Sequence, residues 1–487
     1  MSQSLVIIGG GIAGLAAGCY AKMNGFDVEI HEMHNLPGGL CTAWKRQGYT
    51  FDLCVDWLCG SSAGTSLYPV WEELGMVQGR TFQDPEYYTV AIHRNGERFT
   101  VWADPDRLRE EMLRIAPEDR KFIERFISDI RKLMRIDMPV DPGFWDLIKI
   151  IPSLGLFRHY AVPVSELAGK IRNPALRDLF ISALDWHDQS AFFVMMMIAF
   201  MARKAAGYPV GGSVPIAKAI EARFLSLGGA IRYRSKVREI IVEDDRASGV
   251  VLEDGTRVPA DIVLSAADGF STLFSWIPEK YVTDEIRGYY RDLKPFPPLV
   301  FVSVGVAGGY AGIPRSVSIP LREPVMIAGM QVSRLTLMNH AHDPTLAPPG
   351  KAVLSLMIEA DYAYWEKIPY QTEAYREEKD RIGKQVLNTL QDFYPEIRDK
   401  VEVMDIATPH TFVRYTGNWR GSYEGWLSTR DSMNLTLPQA LPGLRSFYMA
   451  GQWVAPGGGL PGAALSARKA VQLICKAEGR RFVTTKP

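Results

Sequence analysis

The alternation of apolar and polar residues marks out elements from the first residues onward. Leu5-Val6-Ile7-Ile8 is apolar without interruption, the pattern of a strand buried on both faces. Small and apolar residues then predict a helix from about Ile12 to Asn24, ended by Gly25, and Val28 to Glu32 reads as a second strand. Gly48 to Asp52 is a turn entering a strand. Between 104 and 136, Leu108, Met112 and Ile115, and later Phe122, Phe126 and Ile130, recur at helical spacing and predict amphipathic helices. An amphipathic helix after Ser213 runs through Leu227, and alternation from Ile231 to Val242 is strand-like. Asp254-Gly255 between Gly249–Glu253 and Arg257–Pro259 signals a hairpin, and Asp261 to Ala267 repeats the buried-strand pattern. Further strands are predicted at Leu299–Val306, Val325–Gln331 and Ala352–Ile358, with a polar helix near Glu373–Phe393. Phe447 to Gly451 is a strand into a turn, and a last helix runs to Cys475.

The glycines give the first of these elements a chemical meaning. Gly9, Gly11 and Gly14 fit G-x-G-x-x-G between a strand and a helix. The first glycine makes the tight turn, the second admits a pyrophosphate to the backbone, and the third lets helix and sheet pack closely. The N-terminus of the helix, with Ile12 and Ala13, offers amides and a positive dipole end to an anion. Glu32 closes the second strand, where an acid accepts hydrogen bonds from ribose hydroxyls. Gly38 and Gly39 form another glycine loop suited to close ligand approach. Gly457-Gly458-Gly459-Leu460-Pro461-Gly462-Ala463 opens the last helix, a second glycine-rich helix start.

Composition narrows the classes. A chain of 487 residues, 47% hydrophobic, predicts at least two globular domains. Its 55 basic and 55 acidic residues cancel, which argues against a nucleic-acid partner. Five cysteines and eight histidines form no metal-like spacing. No signal-like segment precedes the first strand, which predicts a reducing, cytoplasmic setting with free thiols. Cys54 and Cys59 lie five apart on an extended segment, so their side chains point to opposite faces and read as inert thiols.

Two apolar stretches carry alternatives. Phe144, Trp145, Leu147, Ile148, Ile150, Ile151, Leu154, Leu156 and Phe157, flanked by Lys149, Arg158 and His159, read either as core or as a peripheral membrane contact. Ala191–Ala202, with three successive methionines, suits an apolar pocket or an ordinary core, and it is too short to span a bilayer. Thr408 to Asn418, followed by Gly421 to Trp426, reads as a loop against a flat ligand. No nucleophile–base arrangement stands out. His187 reads as a general acid or as an ordinary histidine.

Gly9–Gly14 with Glu32, Gly38-Gly39, Arg414-Tyr415-Thr416-Gly417-Asn418, and Ala450-Gly451 through Gly462 together resemble the phytoene desaturase-like flavoproteins. That group includes carotenoid desaturases, carotenoid isomerases and retinol saturases and is related to the amine oxidases. The resemblance implies an α/β two-domain flavoprotein. A discontinuous Rossmann-like FAD domain is expected at about 1–75, 205–275 and 437–487. A mixed-sheet substrate domain with a helical cap is expected at 76–204 and 276–436. FAD is expected to bind non-covalently, without a second nicotinamide domain. By resemblance, Val237 meets adenine through its backbone, and Gly451, Gly458, Gly459, Leu460 and Ala463 neighbour the flavin ring. The implied activity is desaturation or saturation of a carbon–carbon bond in an apolar isoprenoid, polyene or acyl-like small molecule, with an electron donor or acceptor besides that substrate. Alternatives are a redox-neutral isomerase or hydratase, an amine oxidase with Trp426 and Tyr423 as its aromatic cage, and a prenyl-binding chaperone. Two positions depart from the family pattern. Leu40 stands where arginine follows the paired glycines, leaving Lys45 or Arg46 to balance pyrophosphate charge. Cys54 stands in place of a glycine and implies a reshaped substrate or flavin wall.

Overall fold

A computed structural model describes residues 2–137, 140, 155–184, 188–432, 435 and 437–487. Five parallel strands form its first sheet, in the order Ala230–Arg232, Asp27–His31, Ser4–Ile8, Ile262–Ser265, Phe447–Met449. The unbroken apolar run of the first strand is explained by its two faces. Leu5 and Ile7 enter a core with the helices Ile12–Met23, Ser213–Ser226 and Gly459–Ala477. Val6 and Ile8 enter another core, under the three-stranded sheet built from Val237–Glu243, Arg246–Leu252 and Arg257–Pro259. Alternate side chains therefore bury in opposite directions, and neither face tolerates a polar residue.

The second large sheet has seven strands, ordered Val401–Ala407, Leu299–Val306, Ala352–Glu359, Met330–Asn339, Ser316–Ile327, Tyr87–Ile92, Arg98–Trp102. It is antiparallel except between Ser316–Ile327 and Tyr87–Ile92. Ile382, Val386 and Leu390 of the helix Glu373–Phe393 pack against Val302, Val304 and Leu356 on one side. Helices Pro105–Ile115, Arg120–Leu133, Pro174–Ala183 and Ala191–Ala202 build a separate core with Phe99 and Val101. Their starts follow local chemistry. Asp104 accepts from the amides of Asp106 and Arg107, each at 2.9 Å, with Pro105 at the first helical position.

Three readings of the sequence change, and at a fourth segment one of two open readings holds. Val325–Gln331 is not one strand, because Ala328-Gly329 turns the chain between Ser316–Ile327 and Met330–Asn339. Ile231–Val242 divides between Ala230–Arg232 and Val237–Glu243, which join different sheets. Thr408–Asn418 is mostly a helix, Pro409–Thr416, with Thr408 and Thr411 capping each other's backbone amides. Ala191–Ala202 is a helix that fills cores: Met195 and Ile198 enter the helical core, and Met197 and Met201 meet Ala103 and Ala206. Phe144, Trp145, Leu147, Ile148, Lys149, Ile150, Ile151, Leu154 and His187 lie outside the described residues. Among the described residues no helix is long and apolar enough to cross a membrane.

One buried ion pair ties three helices together. Arg468 Nη1 lies 2.6 Å from Glu73 Oε2, with side chains 12% and 10% exposed, and Tyr20 donates to the same oxygen at 2.9 Å. Removing one member leaves a buried charge, at a cost of about 3–5 kcal/mol. Glu73→Leu should therefore lower the chemical-denaturation midpoint sharply, and adding Arg468→Met should recover much of the loss. A double variant as unstable as the sum of its single changes would show that the pair does not act as a unit.

Candidate functional site

The parallel strands run in one direction, and their carboxyl ends open on a cavity of about 420 Å³. Ile8 and Gly9, His31 and Glu32, Ala266 and Ala267, and Gly451 all line it just where strands end. Ligands of open α/β sheets settle at such edges, where chain ends diverge and backbone groups are unpaired.

The cradle is mainly backbone. The carbonyl oxygen of Gly9 lies so near the following helix that a Cβ on Gly14 would sit 1.9 Å from it. Gly14 therefore serves packing and does not line the cavity, whereas Gly9, Gly11, Ile12 and Ala13 do. The helix Ile12–Met23 has no side-chain cap and no acid in its first turn, so its first amides remain available to a ligand. Gly38 and Gly39 line the facing wall; the amide of Gly38 donates to the Gly10 carbonyl at 2.9 Å. A Cβ on Gly11 would meet nothing closer than the Gly38 oxygen and Gly39 Cα, both at 3.9 Å. This arrangement of open space and uncapped amides fits a pyrophosphate.

Glu32 is fixed by two backbone amides. Its Oε2 accepts from the Gly10 amide at 2.6 Å and its Oε1 from the His34 amide at 2.7 Å. Burial raises its pKa, and these two hydrogen bonds oppose the rise. Val237 lines the cavity near Lys236, Arg238 and Glu253, in the sheet that packs on Val6 and Ile8. These groups fit the ribose and base portion of a dinucleotide.

The remaining wall comes from the chain's other end. Gly451, Gly459, Leu460 and Ala463 line it, with Leu40, Cys54, Tyr423, Glu424 and Trp453. Gly458 does not; it lies behind, with φ of +65° at the start of the last helix, against Glu424. Cys54 and Cys59 part as expected. Cys54 lines the cavity beside Cys41, whose hydrogen bond, together with burial, holds the Cys54 thiol protonated. Cys59 packs on Met197, with sulfurs 3.7 Å apart. Lys45 and Arg46 do not take over the family's arginine. They lie outside the cavity, and Arg46 pairs with Asp405 at 3.0 Å. Trp426 is fully buried against Tyr290 and Trp453 and does not line the cavity, so it forms no cage with Tyr423 there.

Several lining residues escaped the sequence reading: Asp268, Trp276, Trp453 and above all Glu424. Asp268 caps Ser271 and accepts from the Trp419 amide at 2.8 Å, and burial raises its pKa. Glu424 was legible only as a lone acid between Tyr423 and Gly425-Trp426. Among the described residues no cluster of three or more His, Cys, Asp or Glu is placed to hold a metal ion.

Residues 12–475 match the family described as flavin containing amine oxidoreductase. The chain is 26% identical over 508 residues to a phytoene desaturase (neurosporene-forming) of Cereibacter sphaeroides, covering 96% of this chain and 94% of that protein. It is 23% identical over 504 residues to prolycopene isomerase 1, chloroplastic, of an Oncidium hybrid cultivar, covering 95% and 82%. Among solved structures, an oxidoreductase from Methanosarcina mazei matches with a TM-score of 0.63 at 16% identity, covering 96% of this chain and 100% of that one.

Replacing Glu32 by Ala removes an acceptor that the backbone holds in place. Hydrogen bonds to a charged group are worth roughly 1.5–3 kcal/mol, so the FAD dissociation constant should rise roughly ten- to a hundredfold. Fluorescence titration of apoprotein with FAD measures it. An unchanged constant would show that this carboxylate does not face the cofactor.

Proposed function

The chain belongs to the flavin containing amine oxidoreductase family and is an FAD-dependent oxidoreductase; from that premise we propose that it moves hydrogen to or from a carbon–carbon bond of an apolar, isoprenoid-like polyene. The observation that carries this reading is the set of apolar and aromatic side chains, Leu40, Leu460, Tyr423 and Trp453, that line the cavity beyond the backbone cradle. Near-full-length likeness to a phytoene desaturase and a prolycopene isomerase supports the same substrate class.

In this reading the amides opening Ile12–Met23, with Gly9, Gly11, Gly38 and Gly39, hold the pyrophosphate. Leu40 adds no charge, so the helix dipole and amides balance the phosphates. Glu32 accepts from the ribose hydroxyls, and the backbone of Val237 meets adenine. Gly451, Gly459, Leu460 and Ala463 border the flavin ring, and Gly458 shapes the turn that sets them there. When bound, FAD supplies the two-electron acceptor or donor. The protein orients the polyene against the apolar wall and excludes water. The FAD-binding unit is assigned to 1–75, 205–275 and 437–487, and the substrate-binding unit to 76–204 and 276–436.

A redox-neutral isomerase remains the second reading, since a prolycopene isomerase matches over most of its length. Amine oxidation is disfavoured because Trp426 is sealed away from the cavity.

We place substrate delivery at a bilayer surface. The sequence 144–157 is mostly apolar, with Lys149 inside it and Arg158 and His159 after it, and Phe193 on the helix Ala191–Ala202 is 36% exposed. One experiment covers substrate and delivery: anaerobic mixing of the holoprotein with anionic liposomes carrying phytoene, followed by flotation. The expected result is co-flotation, bleaching of the flavin band, and a product with an added double bond. An isomerised product without bleaching would select the redox-neutral reading. Bleaching by a primary amine but not by phytoene would overturn the polyene assignment, and protein left wholly in the soluble fraction would overturn delivery from the bilayer.

A further inference from the structure

Four acids line the cavity: Glu32, Glu253, Asp268 and Glu424. Three are committed. Two backbone amides hold Glu32. Lys236 donates to Glu253 at 2.7 Å. The amides of Ser271 and Trp419 hold Asp268, each at 2.8 Å. Among the described residues, Glu424 has no hydrogen bond and no ion pair.

Its position is nevertheless defined by packing. A Cβ on Gly458 would lie 2.5 Å from Glu424 Cβ and 2.7 Å from its Oε2, so the side chain rests directly on the backbone that opens the last helix. A Cβ on the adjacent Gly425 would lie 2.5 Å from the Gln452 oxygen, which clamps the loop to the Gly451–Trp453 segment. Two glycines thus permit an acid to lie flat against the wall that Gly451, Gly459 and Leu460 form. The titratable groups facing it are Cys54 and Tyr423, both kept protonated by burial and neighbours, with Cys41 beside Cys54; among the described residues no cation stabilises its charge. Desolvation pushes the Glu424 carboxyl up to about 7, so near neutral pH it exists in both forms.

We propose that Glu424 is the catalytic acid–base of this site, the carboxyl that exchanges a proton with a carbon of the substrate. This assignment rests on the reading that hydrogen is moved at a carbon–carbon bond. Desaturation breaks two C–H bonds on adjacent carbons. One hydrogen leaves as hydride with its bonding pair, the two electrons for which oxidised flavin is the acceptor. The other leaves as a proton to the Glu424 carboxylate, and the pair from its C–H bond becomes the new π bond. The substrate stays neutral, and Glu424 returns the proton to solvent through the cavity. Saturation runs the same transfers backwards. In an isomerisation the carboxyl gives a proton to one carbon and recovers one from another, with no net oxidation.

The test compares holoprotein and Glu424→Gln, which keeps shape and removes ionisation. The first readout needs no substrate: the flavin midpoint potential as a function of pH. Reduced flavin itself ionises near neutral pH, so the two proteins are compared with each other: a group that changes its protonation beside the redox centre adds its own bend, and the wild-type and Glu424→Gln lines should differ in shape around pH 7. The second readout is the rate of flavin bleaching by phytoene, which should fall roughly 10²–10⁴-fold in the Gln variant. Potential–pH lines of the same shape in wild type and Glu424→Gln overturn the assignment, as does a bleaching rate within a few-fold of wild type. A Gln variant that no longer holds FAD also overturns it, by making Glu424 part of the cofactor seat. If phytoene fails to bleach even the wild type, the polyene reading falls, and the potential–pH comparison still decides whether Glu424 is the proton-holding group.

Discussion

Gly10 is gripped from both sides. Its amide donates to Glu32 at 2.6 Å and its carbonyl accepts from Gly38 at 2.9 Å, so one peptide ties the second strand's end and the glycine strap to the first turn. The neighbouring Gly9 carbonyl presses on Gly14 closely enough to exclude any side chain there. These contacts start the helix at Ile12 without a capping side chain. The cavity depends on that arrangement, because a capped helix would have satisfied the amides internally. The first strand, buried on both faces, holds the turn rigid.

Charge in the cavity is unevenly placed. Leu40 brings none to the glycine turns, and Lys45 and Arg46 lie outside, so that part offers amides and a helix dipole, while Lys236 and Arg238 line the part near Val237. The thiols of Cys41 and Cys54 lie in the wall, but burial and their mutual contact hold Cys54 protonated, which removes its nucleophilic form. Tyr423 is likewise kept neutral. Glu424 stands apart because burial raises its carboxyl to about 7 with no hydrogen bond among the described residues to oppose the rise.

Local pattern was enough where local physics decides. Glu373–Phe393 and Leu299–Val306 occur with the bounds their residue patterns mark, because local pattern and burial agree there. The glycine cradle and Glu32 were legible because each glycine has a separate steric task. Other features depend on distant partners. Nothing in Ile231–Val242 announces that its two halves join different sheets. The strands Ser316–Ile327 and Met330–Asn339 carry polar residues near their shared turn, which hides one long hairpin. Thr408 caps through Thr411 rather than a glutamate, and aromatic residues mask the helix that follows. The isolation of Glu424 is tertiary throughout. It depends on what Gly458, Gln452 and Cys54 leave unoffered, and no spacing encodes that.

The central claim is that a cradle of backbone amides, fixed around Gly10, holds FAD without a covalent bond. The most direct measurement is the absorbance of purified, FAD-reconstituted protein before and after denaturation and filtration. The account predicts a flavin spectrum at one equivalent per chain, with all of its colour passing into the filtrate as FAD. A protein that takes up no flavin, or colour retained on the polypeptide, would contradict it.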